Sequence, residues 1–304
     1  MSWWDMFYQD IVIGLVLGSV YVLVAIGFTL CLGVLKLINV AQGHFVMLGA
    51  FLTYQFYGNG MDYSGWFGNT AILSNYFVCI LFAVVCVSLA GAGVHYAGIR
   101  TVHGKGQLAP ILTTIALAFL IENVARVYWP GTGKLIETSL SDNPRNPIGQ
   151  IFITDQRIIT FVAALLLVVV LYLLLNHTRL GKALRATTQD ESAASLMGIN
   201  PQVMFLVAMM LAAAFAGIAG ALLVPLYTAE TNMGMSYLFK AFMVVLIGGI
   251  GNIYGAIVGG LLLGLLEVMI GGLWDPSWVN VVVFGIIILI LAVRPTGLLG
   301  GKGR

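Results

Sequence analysis

Charge is what this sequence has least of. Of its 304 residues only 9% are Asp, Glu, Lys or Arg, 60% are hydrophobic, and the mean hydropathy is +0.99. Soluble domains carry about a quarter charged residues, so this chain lacks the polar coat that a water-soluble globule of its size needs. A soluble enzyme, a nucleic-acid binder and a disordered chain are excluded together. Cysteine is scarce as well. Cys31, Cys79 and Cys86 all sit in apolar stretches, where they read as small packing residues and not as a disulfide framework or metal site.

Catalytic signatures are missing too. Gly131-Thr132-Gly133-Lys134 and Gly181-Lys182-Ala183 have neither the spacing nor the hydroxyl of a P-loop, so no phosphate-cradling loop is expected in this chain. HExxH, paired CxxC and GxSxG do not occur, and His44, His95, His103 and His177 are scattered. The reading is therefore a chain that is not an enzyme and holds no cofactor or metal. Met1-Ser2-Trp3-Trp4-Asp5 has no basic n-region and no small-residue cleavage site, which predicts a permanent first span in place of a removable leader.

What the sequence does have is long apolar runs. A membrane span needs about 20 such residues. Runs of this kind cover Ile11–Gly33, Leu37–Tyr57, Leu73–Ala97, Ala109–Trp129, Ile158–Leu175, Val203–Leu226 and Trp278–Val293. The stretch Ala241–Gly272 is long for one crossing and short for two, and Gly248-Gly249-Ile250-Gly251-Asn252 interrupts it. Charge favours two. With about nine crossings and the N-terminus outside, Lys36, Arg100, Lys105, Arg179, Lys182, Arg185, Arg294, Lys302 and Arg304 all fall inside. Only Lys134, Arg145 and Arg157 are left in the outer loops. Trp3, Trp4, Trp66, Trp129, Trp274 and Trp278 then gather near the outer interface, where amphipathic indoles are favoured. The predicted fold is an all-α polytopic membrane protein of about eight to ten transmembrane helices, some broken or half-length, with a cytoplasmic C-terminus. A single transmembrane domain over 1–304 is expected, with a cytoplasmic loop at about 176–202.

Glycine is abundant, at 37 residues. Gly14/Gly18, Gly251/Gly255/Gly259, Gly260/Gly264 and Ala213/Gly217/Ala221 place small residues four apart on one helix face. That spacing suits close helix packing, within the chain or at a subunit interface.

Three polar segments stand out. Asn39, Gln42 and His44 crowd around Gly43 near a membrane boundary, either lining a solute path at a broken helix or hydrated at the interface. Glu122, Asn123, Arg126 and Glu267 lie within spans. Glu122 and Arg126 can pair as i, i+4, whereas Glu267 has no basic residue within a turn and must be protonated, paired with another helix or facing water; Glu122, Asn123 and Glu267 are substrate-path candidates, Glu267 the stronger for a path or interhelix role. The third segment is the inside loop. Thr188 and Glu191 have capping-box spacing, predicting a helix from Gln189 to about Met197 that Gly198 ends. Such a helix either rests on anionic lipid headgroups or docks a cytoplasmic partner.

These residues resemble a known family. Gly14-Leu15-Val16-Leu17-Gly18-Ser19-Val20-Tyr21, Gly27-Phe28-Thr29-Leu30, Ile38-Asn39-Val40-Ala41-Gln42-Gly43-His44 and Met47-Leu48-Gly49-Ala50 resemble permeases of the branched-chain amino-acid ABC importers, the LivH type. So do Gly181-Lys182-Ala183-Leu184-Arg185-Ala186, Asp190, Ala193-Ala194 and Gly198-Ile199-Asn200, and finally Val245 to Ala256 with Gly259-Gly260. The resemblance covers nearly the whole chain in order, although carriers of amides or urea share these segments. It implies a bacterial inner-membrane importer in which a second, different but related permease completes the pore. Two ATP-binding subunits drive it, and a periplasmic binding protein delivers solute. The segment carrying Gly181, Arg185, Ala186, Asp190, Glu191, Ala193, Ala194 and Gly198 would be the coupling element on the ATPase. Ser192 stands where the EAA-x-x-x-G pattern has its acidic residue. The rival class is a proton-coupled secondary carrier working through Glu122 or Glu267.

Overall fold

The computed structural model describes residues 3–57, 75–102, 106, 108–130, 133–136, 144–145, 152–273, 278–294 and 297–299, and throughout these the apolar runs are helices. Trp66, Trp274, His103, Lys105, Lys302 and Arg304 lie outside the described residues. In chain order the helices are α1 (Trp3–Leu35), α2 (Gln42–Tyr57) and α3 (Tyr76–Val94), which continues through a π-helical turn (His95–Ile99) into α4 (Arg100–Val102). Then come α5 (Leu108–Tyr128), α6 (Asp155–His177), α7 (Arg179–Gln189), α8 (Glu191–Leu196) and α9 (Pro201–Leu223). The last three are α10 (Met233–Gly248), α11 (Ile253–Leu273) and α12 (Val279–Val293). A two-residue antiparallel pair, β1 (Pro144–Arg145) with β2 (Ile153–Thr154), precedes α6.

Six of these helical segments are long and apolar enough to cross a bilayer: Asp5–Leu35, Tyr76–Val102, Leu108–Tyr128, Asp155–His177, Pro201–Leu223 and Ile253–Gly272. Met233–Gly248 and Val279–Val293 are shorter apolar helices. At 1.5 Å per residue, α1 runs about 50 Å, well beyond a hydrocarbon core of about 30 Å. The chain is an all-α, multi-pass membrane protein.

The ambiguous late stretch is a helical hairpin. α10 begins at Met233, well before the expected Ala241, so Lys240 lies inside a helix and not at its boundary. The chain turns at Gly249 (φ 103°), and the Asn252 side chain accepts from the Tyr254 and Gly255 amides to start α11.

α1 and α9 form the buried centre, and α2 is wedged between α9 and α10. Small residues make this possible. A Cβ on Gly18 would lie 2.9 Å from the Leu261 Cα, and one on Gly264 would strike the Gly18 backbone. The Gly14/Gly18 and Gly260/Gly264 faces therefore pack α1 on α11 within the chain. Around this centre α3, α5, α6 and α12 expose Leu81, Leu89, Leu112, Leu166 and Ile288. That rim suits lipid, since these helices satisfy their own backbone groups.

Contacts also sort the helix ends. At one end Gln9 meets the Phe152 backbone, Asp10 lies beside Gly272, and Tyr76 Oη donates to the Ala221 carbonyl. Lys134 and Ala229 form an antiparallel bridge, joining the approach to α10 to the segment after α5. At the opposite end the chain after α12 returns on α10, with the Leu298 amide donating to the Ile247 carbonyl.

Candidate functional site

The loop after α6 is two short helices on a tight turn. Thr178 Oγ1 accepts from the Gly181 amide at 3.0 Å, and a Cβ on Gly181 would fall on the Leu174 and Leu175 carbonyls. That packing explains the glycine. Gly181, Leu184 and Thr187 form the buried stripe of α7, spaced for one helix face. Arg185 lies outside that stripe and donates to Asn176 Oδ1 at 2.5 Å, while Ala186 falls on the outer side.

The expected Thr188 cap is not what forms. Thr188 continues α7, its hydroxyl donating to the Leu184 carbonyl at 2.8 Å. Asp190 caps α8 instead, its Oδ1 accepting from the Ser192 amide at 2.8 Å and the Ala193 amide at 3.0 Å. A carboxylate at an extended residue outcompetes a threonine whose backbone the buried α7 stripe keeps helical. So the helix starts at Glu191 and ends at Leu196, shorter than expected. Gly198 does end it. With φ 81° it supports the paired 6→1 and 5→2 closure, Ile199 amide to Ala194 carbonyl and Gly198 amide to Ser195 carbonyl.

Ala194 is buried in this pair, Glu191 and Ala193 face out, and Leu196 and Met197 are 89% and 83% exposed. Beside them lies an open notch of about 530 Å³ whose lining includes Ala183, Ala186, Ala193, Ala194 and Met197, with Lys182 and Asp190 at its polar edge. Chemically this is a knob: a capped helix offering two bare apolar side chains beside a small-residue notch.

The membrane polar groups separate into two clusters. Residues 36–41 are not helical, and Asn39, Gln42 and His44 are buried in protein. Asn39 caps the turn into α2 through the Ala41 amide (3.1 Å), and Gln42 donates to the Ala212 carbonyl of α9 (2.9 Å). His44 Nε2 lies 3.4 Å from Glu122 Oε2, and the other Glu122 oxygen accepts from Arg126 at 2.7 Å. Asn123 is exposed and bonds its own helix at the Phe119 carbonyl. The second cluster joins Glu267 of α11 to Lys240 of α10 and Tyr21 of α1, each at 2.7 Å. Of the options open to Glu267, a partner on another helix is the one realised. Sequence reading missed Lys240 and Tyr21, because their partners are 27 and 246 residues away.

Among the described residues the architecture is a multi-pass membrane helix bundle, with two polar clusters between its helices and an exposed apolar knob at one end. The chain belongs to the family described as branched-chain amino acid transport system / permease component, matching it over residues 11–292. It is 31% identical over 297 residues to the high-affinity branched-chain amino acid transport system permease protein BraD of Pseudomonas aeruginosa, covering 96% of this chain and 95% of that one. It is 30% identical over 304 residues to the corresponding permease protein LivH of Escherichia coli K12, with 97% and 96% covered. Among solved structures, PsaBC from Streptococcus pneumoniae in complex with Fab shares the fold, with a TM-score of 0.51 at 15% identity over 95% of this chain and 92% of that one.

Proposed function

We propose that this chain is the transmembrane permease subunit of an ABC importer for branched-chain, hydrophobic amino acids, moving solute by alternating access. Separate cytoplasmic ATPases supply the energy. The observation that carries the reading is the α7–α8 knob on a chain of this family. Leu196 and Met197 are bare at its tip, as a helix seated in a partner's groove requires.

The remaining assignments follow from it. The 1–304 chain acts as one permease domain, crossing the bacterial inner membrane about nine times with the N-terminus periplasmic and the C-terminus cytoplasmic. Arg100, Arg179, Lys182, Arg185 and Arg294 at the knob's end support that orientation. Gly181 and Arg185 set the turn, Asp190 and Gly198 bound the docking helix, and Ala186, Glu191, Ala193 and Ala194 shape its contact face. A second, related permease, two ATP-binding subunits and a periplasmic binding protein complete the importer. Within the membrane, Asn39 and Gln42 hold the α1–α2 break against α9, and the His44–Glu122 contact ties α2 to α5.

The test is ATP-driven leucine uptake by the complete importer in proteoliposomes. Uptake that needs ATP and the binding protein is expected. Uptake by this chain alone under a pH gradient would overturn the ABC reading. Glu122 and Glu267, the two acids such a carrier would use, are ion-paired with Arg126 and Lys240.

A further inference from the structure

One group has no task in that scheme. Lys240 Nζ donates to Glu267 Oε1 and to Tyr21 Oη, and Tyr21 Oη donates to Glu267 Oε2, all at 2.7 Å. The three side chains close a ring of hydrogen bonds between α1, α10 and α11. The ammonium also lies 4.9 Å from the Tyr21 ring centre and 5.5 Å from that of Tyr237. An ammonium has three N–H groups. Two are used here.

The ring is not sealed. Lys240 and Glu267 are 21% and 22% exposed, Lys240 at the middle of the apolar α10 and Glu267 in the last third of the apolar α11. Charge opened onto hydrocarbon is costly, so the exposed side suits water or a polar ligand. A pair serving only to hold helices together is often replaceable by apolar residues at no loss of stability. An open, tyrosine-braced pair inside two apolar helices calls for a chemical reason.

We propose that the Tyr21–Lys240–Glu267 triad is a transit site for the zwitterionic head of the transported amino acid. The inference rests on the amino-acid importer reading above. An α-amino acid carries an ammonium and a carboxylate on one carbon, which makes it a mobile copy of the Lys240–Glu267 pair. Lys240 takes the substrate carboxylate, Glu267 takes the substrate ammonium, and the four charges alternate around a square. No proton moves, and no charge is left without a counter-charge at any stage. Binding must open a closed ion pair, so it is weak, as a transit point requires. Amides and urea lack both charges and gain nothing from the exchange, so the triad selects for zwitterions.

The test uses the complete importer in proteoliposomes with labelled leucine. The K240M/E267M variant keeps apolar packing and leaves no orphan charge. It is expected to co-purify with its partners and melt near the wild type, while leucine uptake falls at least tenfold. K240E/E267K restores an ion pair in reverse, and uptake is expected to stay at least fivefold down, because the substrate head would have to invert. Wild-type uptake in either variant overturns the proposal and leaves the pair as a helix tie. Should K240M/E267M not fold, Y21F keeps both charges and loses only the bridging hydroxyl. A rise of threefold or more in the leucine concentration for half-maximal uptake supports the site, and an unchanged value overturns it. If the wild-type importer carries no leucine, the parent reading fails first, and separately.

Discussion

Gly49 of α2 and Gly217 of α9 meet backbone to backbone: a Cβ on Gly49 would strike the Gly217 carbonyl and lie 2.7 Å from its Cα. No side chain can rotate aside to relieve that contact. G49A is therefore expected to cost about 1–3 kcal/mol through overpacking. Gly93 on α3 is the control, since a Cβ there meets nothing within 4 Å. G93A is expected to hold or gain up to about 1 kcal/mol from helix propensity. Thermal melts of the purified chain in detergent, followed by tryptophan fluorescence, check both. Equal melting of G49A and wild type would contradict the contact.

Asp190 and Thr188 make a second comparison. D190A removes the acceptor of two α8 amides and is expected to loosen that helix by about 1 kcal/mol, whereas D190N retains it. T188V loses only a hydroxyl bond within α7. Hydrogen exchange over residues 191–197 is expected to accelerate in D190A and to stay unchanged in T188V. The reverse order would restore Thr188 as the cap.

Leu196 and Met197 are exposed in the free chain, so their replacement has little effect on its own stability. L196D and M197D are expected to leave the melting temperature within about 1 °C, since surface changes stay within about 0.5 kcal/mol. Yet recovery of the ATP-binding subunits by co-purification is expected to fall at least tenfold. Full recovery with both aspartates present would remove this tip from the docking surface.

Sidedness has its own measurement. With Cys31, Cys79 and Cys86 replaced by alanine, S195C and E230C place single thiols at exposed positions at opposite ends of the bundle. In intact spheroplasts a membrane-impermeant maleimide is expected to label E230C, and S195C only after lysis. Labelling of S195C from outside would invert the topology.

Much of this was legible because it is local. The Gly248–Asn252 interruption announces the α10–α11 hairpin, and Glu122–Arg126 shows itself by helical spacing. The start of α10 did not, because Lys240 looks like a boundary until its counter-charge on α11 is known. His44 and Glu122 are 78 residues apart, and no periodicity announces their contact. The cap was misread for a different reason. Thr188 has the right spacing to Glu191, but the choice between Thr188 and Asp190 depends on how far the buried face of α7 extends.

The joint between α8 and α9 has a mechanical consequence. After Leu196 the chain is closed by the Ala194 carbonyl bonds, and the Asn200 side chain then accepts from the Gln202 amide with Pro201 fixing the first helical φ. There is no slack in it. A displacement of the knob would therefore be expected to reach α9 directly, across only the four residues from Met197 to Asn200. α9 is in turn seated on α2, where Gly220 lies against the Val46 carbonyl just as Gly217 lies against Gly49. The same absence of side chains that lets the bundle close thus leaves α2 and α9 no room to slide past each other without breaking backbone contact.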